Sequence, residues 1–338
     1  MDTATHAVMG IGLGGLAMLD PVVAETPYAM QTVMAATIIG SQAPDFDTIL
    51  KLKNNAVYIK YHRGPTHSIP AVLLWPVIVA GGVYISSPEI SFLHLWMWTF
   101  LAVFLHVFVD IFNAYGTQAL SPFSKRWIAL GVINIFDPLI FLVHIAGFLL
   151  WRYGAPPGIT FFLLYCSLIF YYIWRFRARN KVLKQASQFH PNATHFFISP
   201  TFNWNKWHLV IRTKDMLHVT ESRSGKLQYF ESYPFEPIPD NNIIQAARKD
   251  QNLEAFLSFS PTYRWKIREM QDGWEVKFID LRYRSKGYYP FVAVVRLDKH
   301  LRIYTSYTGW IYSDETLEKK LKQGKKLYQS SGSKNIKT

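Results

Sequence analysis

Apolar residues gather into six runs bounded by polar or turn residues, at 6–19, 28–43, 67–86, 91–113, 129–151 and 159–174. A helix needs about 20 residues to cross a bilayer core, so the third, fourth and fifth runs are long enough and the other three are short. The pattern predicts an α-helical integral membrane bundle of about six spans over residues 1–174. Beyond Lys184 the pattern changes to alternating, β-branched and aromatic stretches: "WHLVIRT", "MLHVTES", "KLQYFESY", "WEVKFIDLRYR", "FVAVVRLD" and "LRIYTSY". Ser224-Gly225 and Asp272-Gly273 supply turns between them, and "NNIIQAARKDQNLEAFL" at 241–257 reads as one helix. The expected second domain is therefore α+β, dominated by antiparallel strands, at 191–330. A basic juxtamembrane linker at 175–190 precedes it, and a disordered tail at 331–338 follows.

Charge divides the chain at the same place. Through Trp174 there are seven Lys or Arg against eight Asp or Glu, whereas Arg175 to Thr338 holds 29 against 15. Eleven basic residues lie in the connections after the second, fourth and sixth runs, and only Arg152 lies in the opposite ones. By the positive-inside rule both termini and the second domain are expected in the cytoplasm. Trp151 and Tyr153 at one boundary, and Tyr171, Tyr172 and Trp174 at the other, suit interfacial anchors. No basic stretch precedes the first apolar run, so no cleavable signal peptide is expected. The single Cys166 excludes an internal disulfide and a Cys-based zinc site. "GIGLGG" at 10–15 follows no strand, so Gly10 and Gly14 read as a close helix-packing face rather than a nucleotide loop.

One set of polar residues in the apolar half falls at the cytoplasmic ends of the predicted helices. Asp2 and His6 open the first, Asp45 and Asp47 follow the second in "PDFD", and His62 and His67 precede the third in "HRGPTHS". His106 and Asp110 lie late in the fourth, and Asp137 falls about two turns into the fifth. Residues four apart share a helix face, so Asp2 with His6, and His106 with Asp110, each present two groups together. An ionised Asp inside a span costs about 2.5–3.5 kcal/mol on insertion scales, so such groups persist when paired, hydrated or coordinating. Structural zinc sites gain about 10–16 kcal/mol on binding, enough to offset gathering these ligands. Nitrogen and oxygen donors without thiolate favour Zn²⁺, Mn²⁺ or Fe²⁺ without deciding among them, and Zn²⁺ is the leading expectation. His94 and His144 read instead as helix-to-helix hydrogen-bonding residues, and Asp47 as either a helix-end cap or part of the site.

"DTATH", "PDFD", "HRGPTHS", "HVFVDIFNAYGTQALSPFSKRW" and "FDP" resemble, in order and spacing, the bacterial membrane-bound metal-dependent hydrolases of the YdjM-like inner-membrane family, over about residues 1–150. The resemblance implies a multi-pass protein of the bacterial inner membrane and metal-dependent hydrolysis. It implies a metal set of His6, Asp45, His62, His67, His106 and Asp110, with Asp2, Asp47 and Asp137 as supporting acids. More distantly the chain is similar to zinc-dependent phospholipases C and P1-type nucleases. It departs from them in the later part of the helical half, where only His144 follows.

The expected chemistry is a metal-activated water attacking a phosphoester or lipid-like substrate at headgroup depth, with Asp47 or Asp137 accepting the proton and Arg63 stabilising phosphoryl charge. A divalent-metal transporter is one rival, although transporter sites lie near the bilayer midplane. A regulatory scaffold with a structural metal is the other. The basic second half suits anionic membrane lipids, a protein partner remains an alternative, and the absence of a reader motif argues against nucleic acid. "YRSKGYYP" at 283–290 is a candidate lid over the site.

Overall fold

The computed structural model describes residues 1–285 and 287–332, with side chains through Gly324. It divides into two compact units: Met1–Asp47, His62–Lys184 and Ser199–Trp207 form the first, and Thr48–Tyr61, Gln185–Ile198 and the chain from His208 onward form the second.

The first unit is helical. α1 (Thr3–Leu16) begins at Asp2, whose carboxylate caps the Thr5 N–H, and a short α2 (Pro21–Glu25) leads to α3 (Ala29–Gln42). α1 packs on α3 where the glycine face was predicted. A Cβ on Gly14 would lie 2.8 Å from Met34 Cα, and one on Gly10 would lie 2.9 Å from Ile38 Cα, so only glycine permits this approach. The Thr37 hydroxyl also donates to the Gly10 carbonyl across the seam, at 2.8 Å. The chain then makes a 3₁₀ segment, Ala43–Leu52, and α4 (Asn55–Tyr61), which belongs to the second unit. α5 (Ile69–Ser86), α6 (Phe92–Asp110), α7 (Pro138–Arg152) and α8 (Pro157–Phe189) complete the bundle.

Three of these helices, α5, α6 and α8, are long and apolar enough to cross a membrane; α1 with its 3₁₀ extension and α7 are shorter apolar helices. The lengths of the last two runs are the reverse of the prediction. The run at 129–151 contains "NIFDP", and Asp137 caps a helix that starts only at Pro138, leaving 15 helical residues. Asp137 is thus outside α7 rather than two turns into it. The sixth run continues as helix through the stretch read as a linker, giving 33 residues. Tyr171 is also not a boundary anchor: it is buried and donates to Asp137 Oδ2 at 2.7 Å.

The second unit carries two four-stranded sheets. β1 (His195–Pro200), β2 (Lys206–Arg212), β3 (Met216–Arg223) and β4 (Lys226–Pro234) are neighbours in that order in the first. The predicted helix at 241–257 is two helices, α9 (Asn242–Ala247) and α10 (Gln251–Phe259), because Asp250 caps the second. β5 (Tyr263–Met270), β6 (Gly273–Asp280), β7 (Phe291–Asp298) and β8 (Ile303–Trp310) form an antiparallel meander, followed by α11 (Asp314–Gly332). Ile244, Leu253 and Phe256 pack on Phe278 and Phe291 of this sheet, and Leu317 and Leu321 of α11 pack against Val292 and Val294. Residues 331 and 332 of the expected disordered tail end α11; 333–338, and Lys286 of the proposed lid, lie outside the described residues.

Candidate metal centre

One end of the helical unit gathers imidazoles and carboxylates from four segments. α1 brings His6, the 3₁₀ turn after α3 brings Asp45 and Asp47, the turn before α5 brings His62, Arg63 and His67, and α6 brings His106 and Asp110. His6, His67, His106 and Asp110 are fully or almost fully buried, so no bulk water compensates them.

The hydrogen bonds assign the ring protons. His106 Nδ1 lies 2.6 Å from the Ser41 carbonyl, which only accepts, so Nδ1 carries the proton and Nε2 offers its lone pair. Thr66 donates its hydroxyl proton to Asp47 Oδ2 at 2.8 Å, and its oxygen therefore accepts from His67 Nδ1 at 3.1 Å. His67 Nε2 is left with a lone pair as well. These two Nε2 atoms face each other at 3.3 Å.

The carboxylates close around that pair. Asp45 Oδ1 lies 3.6 Å from His67 Nε2 and 3.7 Å from His106 Nε2; Asp110 Oδ2 lies 3.7 and 3.8 Å from the same atoms. Both oxygens are buried without a hydrogen-bond partner, as are both ring nitrogens of His6. Tetrahedral zinc with bonds of about 2.0–2.1 Å places its ligand atoms about 3.3–3.4 Å apart, close to this spacing. The residues present therefore fit a divalent cation. His6 stacks on His106 with ring centroids 3.7 Å apart, and its Nε2 lies 3.5 Å from Asp110 Oδ1. The Met1 amino group also touches Asp110.

Asp45, Asp47 and His62 form a second group whose donor atoms lie within 4.8 Å of one another. Asp47 is heavily engaged, with His62 Nδ1 at 2.8 Å on one oxygen and the Arg63 N–H at 3.1 Å and Thr66 hydroxyl on the other. It holds the 62–67 turn in place. Arg63 adopts a left-handed backbone, φ 62°, and its carbonyl is fixed by the Thr117 hydroxyl and the Gln118 N–H, each at 2.9 Å. Its Nη2 donates to the Met1 carbonyl and lies 3.4 Å from Asp110, while Nη1 is buried with no hydrogen-bond partner.

Two supporting acids stand apart from the His67–His106 pair. Asp2 caps α1, and Asp137 caps α7 through Leu139 N at 3.0 Å while accepting from Tyr171. His94 bonds Asp20 at 2.6 Å, a contact between elements as expected, whereas His144 bonds the Ile140 carbonyl of its own helix at 2.7 Å rather than a neighbouring helix. Sequence reasoning missed Thr66, the Ser41 carbonyl and Asn113. Asn113 donates to Asp110 Oδ1 at 3.3 Å and accepts from the N–H groups of Tyr115 and Gly116. The "HRGPTHS" and "DIFNAYG" motifs contained Thr66 and Asn113, but nothing in hydroxyl or amide chemistry alone singled them out, and Ser41 acts through a backbone carbonyl.

An apolar helical bundle that draws His and Asp together at one end defines a membrane protein with a candidate metal centre. The comparisons agree with the membrane assignment: the chain belongs to the YdjM inner membrane protein family, which matches residues 1–182. The YfhP middle domain matches residues 191–233, and the YfhP C-terminal alpha/beta plait domain matches residues 242–321. A relative from Bacillus subtilis (strain 168), described as uncharacterized protein YfhP, is 53% identical over 325 residues, covering 96% of this chain and 99% of its own length. No solved structure matches the chain.

Proposed function

We propose that this protein is a metal-dependent hydrolase of the bacterial inner membrane that cleaves a phosphoester of a lipid-like substrate at the cytoplasmic headgroup level. The observation that carries the reading is the pair of opposed Nε2 lone pairs on His67 and His106, enclosed by unpartnered oxygens of Asp45 and Asp110. Without a proton or cation between them the two lone pairs repel, and in a buried site that repulsion is weakly screened. The imbalance of basic residues between alternate connections supports a multi-pass topology with both termini cytoplasmic.

His67, His106, Asp45 and Asp110 would hold the ion, most simply Zn²⁺, with His6 beside them. Such an ion supplies Lewis acidity toward a phosphoryl oxygen and acidifies water. The chain's own groups do the rest. Arg63 presents its unpartnered Nη1 to an anionic oxygen, and its left-handed backbone aims it there. The His62–Asp47 pair accepts the proton, since Asp47 holds Nδ1 and steadies the imidazolium that forms. At 21% side-chain exposure His62, with Asp45 at 15%, forms the accessible rim of an otherwise closed cluster.

Metal analysis of purified wild-type and Asp110→Asn protein, followed by a screen of phospholipids and smaller phosphoesters, tests this. Stoichiometric metal and hydrolysis in the wild type, both lost in the variant, are expected. Equal metal content in the two proteins overturns the assignment.

A further inference from the structure

Away from the polar cluster, α1, α6 and α8 leave between them a groove of about 710 Å³. Leu13 forms its floor, Leu105 and Phe112 one wall, Leu168 and Ile173 the other, and Arg177 stands at one end. The polar atoms along it are few and those of the tyrosines are already engaged: Tyr165 donates to the Met9 carbonyl at 2.9 Å, and Tyr172 reaches Met1 Sδ at 3.8 Å. Space of this size without polar partners does not hold ordered water. In a membrane it is filled by hydrocarbon.

We propose that the groove is a binding site for one acyl chain of an anionic phospholipid, whose phosphate meets Arg177. Two observations commit it to that occupant. The wall formed by α6 and the turn that follows it runs from Leu101 to Phe112, about 17 Å at roughly 1.5 Å per residue, which is close to half of a roughly 30 Å hydrocarbon core and so to one leaflet. The groove is otherwise apolar, and its single charged lining residue is the exposed Arg177, the complement of a lipid phosphate rather than of a neutral headgroup.

The groove also ends where the metal ligands are. Phe112 meets Tyr172 with ring centroids 5.0 Å apart, so α6 and α8 reach this end together, and Val109 of the groove directly precedes Asp110. Met9 of the lining lies one helical turn beyond His6. A chain seated here brings its headgroup to the end of the bundle that carries the cluster. The inference rests on the hydrolase reading only for the fate of that lipid; binding itself needs no turnover.

The test uses full-length protein in nanodiscs containing a phosphatidylglycerol probe with a diazirine on its acyl chain, photolysed and mapped by peptide mass spectrometry. Labelling is expected to concentrate on the α1, α6 and α8 residues of the groove, at least tenfold above Leu73 and Leu74, which are exposed on α5. Ile169→Trp, at a 59% exposed groove position, should abolish the groove labelling and leave α5 labelling and metal content unchanged. Leu105→Trp serves as a second blocking variant, each being checked for folding by its melting profile. Arg177→Gln should reduce labelling to that given by the matching phosphatidylcholine probe. Equal labelling of groove and α5, or groove labelling untouched in the folded blocking variants, overturns the proposal and identifies ordinary boundary lipid. Because labelling is read without catalysis, failure of the metal centre and failure of the groove remain separate results.

Discussion

His67 and His106 point the same ring nitrogen at each other across 3.3 Å, each held in that tautomer by a hydrogen bond on its far side. A hydrogen bond between them is thereby excluded for the neutral rings, and their lone pairs repel unless a proton or a cation stands between them.

Thr66→Val removes the hydroxyl that links Asp47 to His67 while preserving volume. Outer-shell partners of ligating histidines are worth about 10–100-fold in metal affinity. A loss in that range, measured by competition with a chelator and without a change in helical content, is expected.

Asp137→Ala should separate fold from chemistry. It removes the cap of α7 and leaves the Tyr171 hydroxyl unpartnered, at a cost of about 1–2 kcal/mol. Unfolding in detergent should shift accordingly, with metal content equal to the wild type. A fall in metal content at unchanged stability would restore Asp137 to the site.

Gly10→Ala drives a Cβ to 2.9 Å from the Ile38 Cα and Thr37 carbonyl oxygen, so α3 has to move. Overpacking of this kind costs about 1–3 kcal/mol, more than the roughly 1 kcal/mol that alanine gains over glycine in helix propensity. Since α3 also carries the Ser41 carbonyl that orients His106, weaker metal retention should accompany the lower melting temperature.

In the second unit, Glu231 accepts from Tyr233 at 2.6 Å and from Tyr289, with Arg284 at 3.6 Å. Burial pushes its carboxyl up, but these donors and the Arg284 charge prevail and its pKa is lowered. A lowered folded-state pKa means a stabilising contribution that is complete above the unfolded-state value and lost as pH falls through the folded one. Glu231→Gln should therefore destabilise this unit by about 1 kcal/mol at neutral pH, and the difference should vanish under acid. Hydrogen exchange across β4, compared at the two pH values, reads this directly.

Apolar runs made the helices legible, and the spacing of His106 with Asp110 and the "PDFD" and "HRGPTHS" turns made the cluster so. Helix ends were harder, because "NIFDP" is apolar enough to merge with the run behind it until Asp137 is seen capping Pro138. β5 escaped notice because one of its faces is charged and exposed, and α11 because its long lysine-rich surface hides the Leu317–Leu321 contact. The left-handed Arg63 and the carbonyl of Ser41 were invisible for a different reason: backbone geometry leaves no composition signal.

The candidate ligands come from four separate stretches, and the last of them, Asp110, is 104 positions beyond His6. During synthesis the early imidazoles emerge and insert long before the carboxylate that completes their surroundings. Closure of the cluster is consequently a late event: a nascent chain arrested ahead of α6 holds His6, Asp45 and His67 without the His106 and Asp110 that face them. Completion of the cluster is thus a natural checkpoint, passed by chains whose α6 has arrived.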